Sequence, residues 1–395
     1  MKSSGRIDLP ARMTDAPTAT LFAALDAAGI GARFVGGCVR NAVLGRAVDD
    51  IDIAVDKPPE TVMLALRAAK IKVVPTGLKH GTVTAVVDKR PFELTTLRRD
   101  VETDGRHAVV AFTDDWQEDA GRRDFTFNAL YADRDGTLYD LFEGRADLVQ
   151  HKVRFIGDAD QRLTEDRLRV LRFFRFFAWY GGPPIDGPGY EACARHAEAL
   201  GNLSGERVAK ELLKLLGAPD PADAIEAMAN AGALDHWLPE YDGTKRLRAL
   251  ITREAESDGL RRLAAVLEDD ADATAIGKRL KLSTQQALRL DLMAAPESAV
   301  GLHLRADLYR LGKTVFVDRV LLQAPDNWRE ALKLAEEWTP PELPVSGGDA
   351  LKLGLKPGPK VGALLETVER WWIAGDFAAD RADCLNELER LSKSA

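Results

Sequence analysis

The chain has 395 residues, 46% of them hydrophobic and 29% charged, and a formal net charge of −8. These values predict a globular protein of two or three domains and argue against a membrane protein, because no apolar run reaches the roughly 18–20 residues that a spanning helix needs. The N-terminus leads into no apolar segment of a secretory signal, and Cys38, Cys193 and Cys384 are too scattered for a disulfide framework. We therefore expect a cytoplasmic protein that does not bind membranes.

An acidic net charge is unusual for a nucleic-acid-binding protein, which normally presents a basic surface. Phosphate contacts, however, depend on local clusters of Lys and Arg rather than on total charge. The chain has such clusters at Arg98-Arg99, at Arg122-Arg123 and along Arg162–Arg175. Charge alone still argues against nucleic acid as a partner, and the motifs must overturn that expectation.

The N-terminal part of the chain alternates short strands and helices. Strands are predicted at Ala32–Val35, Ile51–Val55, Thr82–Val87 and Phe92–Leu97, and a helix runs from about Val39 to Leu44, with Gly45 as its stop. From about residue 160 the β-type alternation disappears, and Leu, Ala, Arg and Glu recur at helical spacing. The pattern predicts an α+β protein in which a small mixed or antiparallel sheet with helices precedes an elongated all-α part.

The first chemical motif is Gly36-Gly37-Cys38-Val39-Arg40, between a predicted strand and a predicted helix. A glycine pair at this point lets backbone N–H groups approach a phosphate at the helix N-terminus. Arg40 lies one turn into the helix and can add a fixed positive charge. The motif therefore predicts a phosphate-binding turn.

Two carboxylates follow ten residues later, in Asp50-Ile51-Asp52. Along the predicted strand the apolar residues would face one side and both aspartates the other. Carboxylates about 6.5–7 Å apart along a strand can jointly hold Mg²⁺ ions that lie about 3.5–4 Å from each other, as in-line nucleotidyl transfer requires. We predict that Asp50 and Asp52 bind metal; the alternative is an exposed strand face with solvated aspartates.

Gly36 to Val55 resembles the head-domain signature of the class II tRNA nucleotidyltransferase and bacterial poly(A) polymerase family, and the similarity continues in the same order over about residues 30–215. The resemblance implies a nucleotidyltransferase head that uses Mg²⁺ and binds nucleotide phosphate through Gly36, Gly37 and Arg40. One departure is Asn41, where the family usually has Asp after the arginine. Asparagine keeps hydrogen-bonding capacity but loses a charge.

Glu93 lies in the predicted strand Phe92–Leu97 and alternates with apolar neighbours, so it points away from the apolar face. A lone glutamate on a strand is most often a surface residue. The resemblance makes Glu93 the third acidic residue of the family's site, which would help the 3′-hydroxyl of the RNA lose its proton. We therefore predict Asp50, Asp52 and Glu93 as the catalytic residues.

A second motif, Arg122-Arg123-Asp124-Phe125-Thr126-Phe127-Asn128, matches the next signature of the family. Planar guanidinium groups suit phosphate, and two consecutive arginines can serve a triphosphate and a ribose. Asp124 and Asn128 lie four residues apart, as on one face of a helix start, where Asp124 could cap the helix or meet a ribose hydroxyl. We predict Arg123, Asp124 and Asn128 as nucleotide-binding residues; the alternative is a capped helix with solvated arginines.

A third motif begins at Glu165, and Asp166, Arg169, Arg172 and Arg175 recur in it every three residues, which predicts a slanting row on one helix surface. The resemblance implies that Asp166 and Arg169 read the base edge of the incoming nucleotide in place of a nucleic-acid template. A carboxylate accepts from an amino group, and arginine donates to ring acceptors. Arg172 and Arg175 would support this pair or contact phosphate. The alternative is a surface salt-bridge ladder.

Two stretches bear on the branch of the family. Pro75–Thr84 resembles a segment of CCA-adding enzymes, near which poly(A) polymerases carry Gly, two basic residues and Phe. Leu97–His107 resembles the flexible loop that CCA-adding enzymes need to switch from C to A, although its plain interpretation is a mobile surface loop.

The C-terminal half is less specific. Ser204–Arg207 begins a helix with a plausible cap and resembles the neck of the family. Gly347–Lys360 is similar to a tail motif of related enzymes. Its Pro-Gly-Pro turn could present backbone N–H groups to RNA phosphate, or the stretch could be a plain helix–turn–helix.

The resemblance predicts a catalytic head over residues 1–150, a base-recognising helical neck over 151–215, and a helical body and tail over 216–395 that binds tRNA. The implied activity is addition of CCA to the 3′ end of tRNA from CTP and ATP, with release of pyrophosphate and Mg²⁺ as the cofactor. Poly(A) polymerase remains an alternative, as does a non-catalytic RNA-binding relative, although clustered carboxylates argue against the latter. The sequence predicts no oligomeric state.

Overall fold

The computed structural model describes residues 1–104, 107–294, 300 and 303–394. The chain forms two compact units, one made of Met1–Thr244 with Arg279–Lys281 and the other of Lys245–Lys278 with Leu282–Ala395. Strands are described in the first unit, and the described residues of the second unit form helices and connecting segments. The predicted α+β class is confirmed. The finer division into head, neck, and body and tail remains a prediction.

Seven strands of the first unit form one sheet, and two more form a separate hairpin. Within the sheet, in the order β3-β4-β5-β2-β1-β8-β9, β2 and β5 run parallel and the other neighbours antiparallel. The hairpin pairs β6 with β7. The strands are β1 (Ala32–Val35), β2 (Asp52–Val55), β3 (Lys72–Gly77), β4 (Thr82–Val87), β5 (Arg90–Thr96), β6 (Arg98–Asp104), β7 (His107–Phe112), β8 (Leu130–Ala132) and β9 (Leu138–Asp140).

The burial of the sheet follows the alternation of the sequence. On β4 every second residue is buried. On β5 Phe92 and Leu94 are buried, whereas Glu93 between them is exposed. Because successive side chains of a strand point to opposite faces, Glu93 is directed away from the apolar side, as predicted.

The helices of the first unit surround the sheet and continue beyond it. They are α1 (Ala11–Thr14), α2 (Ala16–Ala27), α3 (Gly37–Val43), α4 (Pro59–Ala68), α5 (Trp116–Gly121), α6 (Gly144–Val149), α7 (Ala159–Glu165), α8 (Leu168–Tyr180), α9 (Gly187–His196), α10 (Gly205–Leu216) and α11 (Ala222–Asn230). Short 3₁₀ turns lie at Leu78–His80, Thr126–Asn128 and Glu198–Asn202. The loss of strand patterns after about residue 160 is therefore confirmed in the described part of the chain.

Helix α8 joins the sheet-containing region to the helices that follow. The ring of Phe173 on this helix stacks on the ring of Phe155, with the ring centroids 5.6 Å apart. The ring of Phe176 contacts that of Phe125 edge to face, with the centroids 5.3 Å apart. Aromatic pairs at these separations stabilise a contact beyond the area that they bury. The apolar face of α8 is thereby fixed, and its arginines are left on the other face.

The second unit has its own cores. Its helices are α12 (Lys245–Ile251), α13 (Gly259–Ala264), α14 (Ala273–Arg279), α15 (Thr284–Ala294), α16 (Leu304–Gln323), α17 (Trp328–Glu337), α18 (Gly347–Lys352), α19 (Pro359–Ala374) and α20 (Arg381–Ser394). One core lies around Phe316 and Val320, and another around Val368 and Trp372. No helix among the described residues is both long enough and apolar enough to cross a bilayer.

The tail motif is a helix–turn–helix made of α18 and α19. Ser346 and Asp349 form a capping box at the start of α18, in which each side chain bonds the backbone N–H of the other residue. Asp349 also accepts from Arg381 at 2.7 Å. The capping box accounts for the start of α18, and RNA binding by the Pro-Gly-Pro turn remains a prediction.

Candidate functional site

A cleft of about 750 Å³ in the first unit brings the predicted nucleotide-binding residues together. Its wall includes the start of α3, the segment before β2, the Arg122–Asn128 segment, and parts of α8 and α10. The predicted residues that line it are Gly36, Gly37, Arg40, Asp50, Asp52, Arg123, Asp124, Asn128, Asp166, Arg169, Arg172 and Arg175. Motifs that span more than a hundred residues of sequence therefore share one surface.

The glycine pair forms a tight turn into α3. Gly36 has φ of +71° and is the N-cap residue, and the helix begins at Gly37, two residues earlier than predicted. A Cβ at Gly36 would lie 3.6 Å from Arg123 Nη1 in a backbone conformation that other residues rarely adopt. The turn therefore favours glycine and keeps the backbone open to the cleft.

Arg40 is a buried cation with neutral hydrogen-bond partners. Its side chain is 8% exposed, Nη1 donates to Asn128 Oδ1 at 2.7 Å, and Nη2 donates to Asn41 Oδ1 at 3.3 Å. Its guanidinium lies 4.2 Å from the ring centre of Tyr180, and Nε has no hydrogen-bond partner within the described residues. Burial lowers the pKa of Arg40. An anion in the cleft would compensate this charge.

Asp52 and Glu93 are register partners on the parallel strands β2 and β5. Asp52 is half-buried and lines the cleft, whereas Glu93 is exposed and is not among the lining residues. Burial, followed by the charges of Glu93 and Asp50, raises the pKa of Asp52, against an opposing effect of Arg123. The negative charges of Glu93 and Asp50 therefore act on the Asp52 carboxyl group.

One part of the carboxylate prediction is wrong. Asp50 does not share a strand with Asp52, because β2 begins at Asp52 and Asp50 lies exposed in the preceding bend. A period-two pattern cannot fix the strand end, and the bend still leaves Asp50 on the cleft wall. Across the described ranges, no group of three or more His, Cys, Asp or Glu residues is arranged to hold a metal ion.

The arginine pair is held by an aspartate that the sequence analysis missed. Asp119 on α5 accepts from Arg122 Nη2 at 2.6 Å and from Arg123 Nη2 at 3.0 Å, and it is 1% exposed. Burial opposes its ionisation, but Arg123 and Arg122 outweigh burial and hold the pKa of Asp119 well below its usual range. Spacings of three and four residues were the available signal, since such pairs meet on a helix.

Asp124 and Asn128 form the middle of a continuous polar chain. Asn128 Nδ2 donates to Asp124 Oδ1 at 3.0 Å, and Arg172 Nε donates to Asp124 Oδ2 at 2.6 Å. Burial opposes ionisation of Asp124, but Arg172 and the hydrogen bonds outweigh it and lower the pKa to about 2. Because Asn128 also accepts from Arg40, the chain links α3 to α8.

The predicted helix start at this motif is wrong. Phe125 is extended, and only a 3₁₀ turn, Thr126–Asn128, follows. Asp124 therefore does not cap an α-helix. Phe125 pairs as an isolated β-bridge with Phe155, and this tertiary pairing overrides the helical spacing of Asp124 and Asn128.

The predicted helical row is wrong at its first member. Asp166 is the C-cap of α7 in an extended conformation, and α8 begins at Leu168. Asp166 Oδ1 instead accepts from the backbone N–H of Leu168 at 3.0 Å, and Arg207 Nη2 contacts its Oδ2 at 2.9 Å. A backbone hydrogen bond from Arg169 to the Asp166 carbonyl keeps the two residues within one turn.

Arg169 is fixed from three directions. Its Nη1 donates to Glu165 Oε2 at 2.6 Å and to the Arg162 carbonyl at 2.9 Å, and its Nη2 donates to the Arg122 carbonyl at 3.0 Å. A guanidinium has five N–H donors, so these contacts hold Arg169 without using all of them. Arg169 side-chain exposure is 12%, against 31% for Asp166.

Helix α10 supplies further residues that the sequence analysis did not select. Arg207 pairs with Asp166, Glu211 pairs with Arg175 at 2.7 Å, and Lys214 lines the cleft. Arg175 also lies 4.2 Å from the ring centre of Phe176. The only sequence signal was the helical spacing of these charges, and it did not identify their partners. Ser204 precedes α10 but makes no side-chain cap, contrary to the prediction.

The segment predicted as a flexible loop is largely a hairpin. Strands β6 and β7 pair from Arg98–Phe112 to Asp104–His107, with a register irregularity between Asp100 and Glu102. Gly105 and Arg106, which separate the two strands in the sequence, lie outside the described residues. Whether the segment governs the change from C to A remains a prediction.

Family models match two stretches of the chain. Residues 32–154 match the model described as the poly(A) polymerase head domain. Residues 185–244 match a model described as the probable RNA and SrmB-binding site of polymerase A. The first match contains the glycine turn, the carboxylates and the arginine pair, and the second contains α10.

Whole-length relatives have more specific names. The chain is 35% identical over 381 residues to the mitochondrial CCA tRNA nucleotidyltransferase 1 of Mus musculus, covering 91% of this chain and 86% of that protein. It is 32% identical to the CCA-adding enzyme of Levilactobacillus brevis, with 90% and 93% covered. The crystal structure of the Bacillus stearothermophilus CCA-adding enzyme in complex with CTP superposes with a TM-score of 0.74 at 25% identity, covering 96% and 98% of the two chains.

Proposed function

The chain belongs to the family of class II CCA-adding tRNA nucleotidyltransferases, and we propose from this membership that it adds C, C and A to the 3′ end of tRNA. The substrates are CTP and ATP, pyrophosphate is released, and no nucleic-acid template is used. The observation that carries the proposal is that Asp50 and Asp52, the glycine turn, and the Asp166–Arg169 pair all line the same cleft. These groups match the chemical needs of metal, phosphate and base, respectively.

The carboxylates fit a divalent metal by donor chemistry. Carboxylate oxygens are ligands that Mg²⁺ prefers, and Mg²⁺ commonly binds through one or two carboxylates with substrate phosphates and water completing its shell. The raised pKa of Asp52 reflects burial and the nearby charges of Glu93 and Asp50, and a cation would relieve that repulsion. Asp50 and Asp52 would hold the metal, which when bound polarises the phosphoryl oxygens and stabilises the charge of in-line displacement.

Glu93 has a different part in this proposal. It neighbours Asp52 across the parallel strands but is not among the residues that line the cleft. We assign it to the side from which the RNA 3′-hydroxyl approaches, where a carboxylate can accept the hydroxyl proton. Its exposed position suits a group that meets the RNA rather than the nucleotide.

The triphosphate is assigned to the glycine turn and the arginines beside it. Arg40 is buried with neutral amide partners and one unpartnered Nε, so a phosphate would neutralise it. Arg123 lies against the same turn. Guanidinium groups bind phosphate through their planar fork, and the open backbone at Gly36 and Gly37 allows close approach.

The base is assigned to Asp166 and Arg169. Cytosine and adenine each offer an amino donor beside a ring-nitrogen acceptor, whereas uracil and guanine present a carbonyl and an N–H there. A carboxylate accepts from the amino group, and a guanidinium donates to the ring nitrogen. Arg207 and Glu165 hold the two readers, which supports a rigid protein template.

Transfer RNA is the proposed polynucleotide substrate, because the relatives are named for tRNA and residues 185–244 match an RNA-binding model. The head model is named for poly(A) polymerase, which makes poly(A) addition the second candidate. The mouse relative is named as mitochondrial. A cytoplasmic location for this chain is therefore a proposal that rests on its sequence alone.

One assay separates these activities. A tRNA transcript that lacks its 3′ CCA is incubated with Mg²⁺ and each nucleoside triphosphate, singly and in pairs. We expect two residues with CTP alone, three with CTP and ATP, and no extension beyond the third. Long A tails from ATP alone would favour poly(A) polymerase, and no product under any condition would refute the proposal.

A further inference from the structure

Asp119 is a buried carboxylate at which separate segments of the first unit meet. Its Oδ1 accepts from the backbone N–H of Arg98 at 3.3 Å and from Arg122 Nε at 2.9 Å. Its Oδ2 accepts from Arg123 Nη2 at 3.0 Å and from the Tyr131 hydroxyl at 2.6 Å. One carboxylate thus joins the root of the β6–β7 hairpin, the arginine pair and strand β8.

Two hydrogen-bonded connections lead from Asp119 to the cleft. The first is the Arg123 guanidinium, which lies so close to the glycine turn that a Cβ on Gly36 would be 3.6 Å from its Nη1. The second passes through Arg122, whose main-chain carbonyl accepts from Arg169 Nη2 at 3.0 Å. Arg123 and Arg169 both line the cleft, whereas Asp119 is not among the lining residues.

We propose that Asp119 is a positioning residue for the incoming nucleotide, which holds Arg123 at the phosphates and, through Arg122, holds Arg169 at the base. This inference rests on the function proposed above. An arginine side chain has several rotatable bonds, and a buried carboxylate that pairs with two guanidinium groups restricts the rotation of both side chains. Losing the carboxylate therefore loosens phosphate binding and base reading together.

The hairpin root belongs to the same assembly. Arg122 Nε donates to the Arg98 carbonyl at 3.0 Å, while the Arg98 N–H donates to Asp119. The start of β6 is therefore bound to the same carboxylate that orients Arg122 and Arg123. Displacement of Asp119 would release the hairpin root and the nucleotide-side arginines in one event.

The alternative role is purely structural, and the second unit offers a matched control. Asp318 is 0% exposed and accepts from the Nε atoms of Arg261 and Arg289 at 2.8 and 2.7 Å. It is thus a buried aspartate that pairs with two arginines outside the cleft. Asp119→Asn and Asp318→Asn each remove the negative charge of a buried aspartate that binds two arginines. We therefore expect both variants to have a lower free energy of unfolding.

The test compares full-length wild type, Asp119→Asn and Asp318→Asn on tRNA lacking its CCA end. KM for CTP, KM for tRNA, the ratio of kcat/KM for CTP over UTP, and Tm are measured. For Asp119→Asn we expect KM for CTP to rise on the order of tenfold, as for loss of one charge-assisted contact, and the CTP preference to fall. KM for tRNA should change little, and Asp318→Asn should change Tm alone.

Two further variants keep the test decisive. Tyr131→Phe removes the hydroxyl that donates to Asp119 at 2.6 Å and accepts from Arg123 Nε at 3.2 Å, and it keeps every charge. A smaller rise in KM for CTP is therefore expected even where Asp119→Asn does not fold. In an Arg123→Lys background, Asp119→Asn should raise KM for CTP less than in wild type. The proposal would be overturned if Tyr131→Phe left KM for CTP and the preference for CTP over UTP unchanged. It would also be overturned if Asp119→Asn and Asp318→Asn changed KM for CTP equally. An inactive wild type would refute the proposed function instead.

Discussion

Asp52 and Glu93 lie side by side, in register, on the parallel strands β2 and β5. The parallel pairing brings together two carboxylates that are 41 residues apart in the sequence, and it places Asp52 on the cleft wall and Glu93 outside it. In the proposed function, Asp52 would serve the nucleotide and Glu93 would serve the RNA hydroxyl.

Removing Asp50 or Asp52 should abolish nucleotide transfer while leaving the fold intact. Asp50 is exposed and Asp52 is half-buried, so neither Asp50→Ala nor Asp52→Ala opens a cavity in the core. This loss is expected because the proposed function assigns the divalent metal to these two carboxylates. Rates of CTP incorporation in Mg²⁺, together with circular dichroism and tRNA affinity, check this result.

Asp49 provides a control for that experiment, because it is exposed and lines the same cleft. Asp49→Ala removes the same charge from the same surface and should reduce the rate far less. Near-wild-type transfer by Asp50→Ala or Asp52→Ala would show that the metal assignment is wrong.

Asn41→Asp should weaken binding of the nucleotide. The Asn41 Oδ1 lies 3.3 Å from Arg40 Nη2, so a carboxylate there would neutralise the buried guanidinium and compete with phosphate. We expect KM for both CTP and ATP to rise several-fold, with an unchanged or higher Tm, since a close ion pair of this kind is worth about 1 kcal/mol or more. Asn41→Ser removes the amide without adding charge. If both variants raise KM equally, the charge argument fails.

Shortening the hairpin beyond Arg98 should spare addition of the two C residues and impair addition of A. Strands β6 and β7 form their own sheet, apart from the seven-stranded sheet, so the deletion leaves the main sheet intact. Keeping Arg98 retains its contacts with Asp119 and Arg122. Product lengths on gels with CTP alone and with CTP plus ATP measure both steps. Equal loss of both would indicate general destabilisation.

Acid should remove the stabilisation that Asp124 provides. Its folded-state pKa of about 2 is below the unfolded value of about 3.9. Because the folded pKa is depressed, the contribution is fully present above about pH 4 and is lost as pH falls towards 2. The contribution is on the order of 2 kcal/mol. Asp124→Asn should therefore make the free energy of unfolding less dependent on pH in this range, and an unchanged slope would contradict this account.

The sequence predicted those parts of the site that depend on local spacing. The glycine turn and Arg40 depend on a strand-to-helix junction, and alternation predicted where Glu93 points. The partners of these groups could not be predicted, because Arg207 and Glu211 meet Asp166 and Arg175 through the packing of α10 on α8. That packing depends on apolar contacts over distances that no local pattern encodes.

A spacing of three or four residues does not correspond to an α-helix at two of the predicted positions. Asp166 and Asp124 both have such spacing to a functional neighbour, yet neither lies in an α-helix. In each case a turn brings the residues together by a different route. Asp119 shows the converse, because its spacing of three and four residues to Arg122 and Arg123 does correspond to direct ion pairs.

The most direct test of protein-templated base reading is the nucleotide preference of Asp166→Ala and Arg169→Ala, with Arg172→Ala for comparison. Bidentate base recognition is worth about 1–3 kcal/mol per contact pair, or roughly 10–100-fold in preference. Steady-state kinetics with all four triphosphates should show that the first two variants lose selectivity against UTP and GTP as well as rate. Arg172→Ala, whose guanidinium is bound to Asp124, should lose rate with less change in preference. A uniform fall in rate that keeps the wild-type order of preference in Asp166→Ala and Arg169→Ala would contradict base reading by this pair.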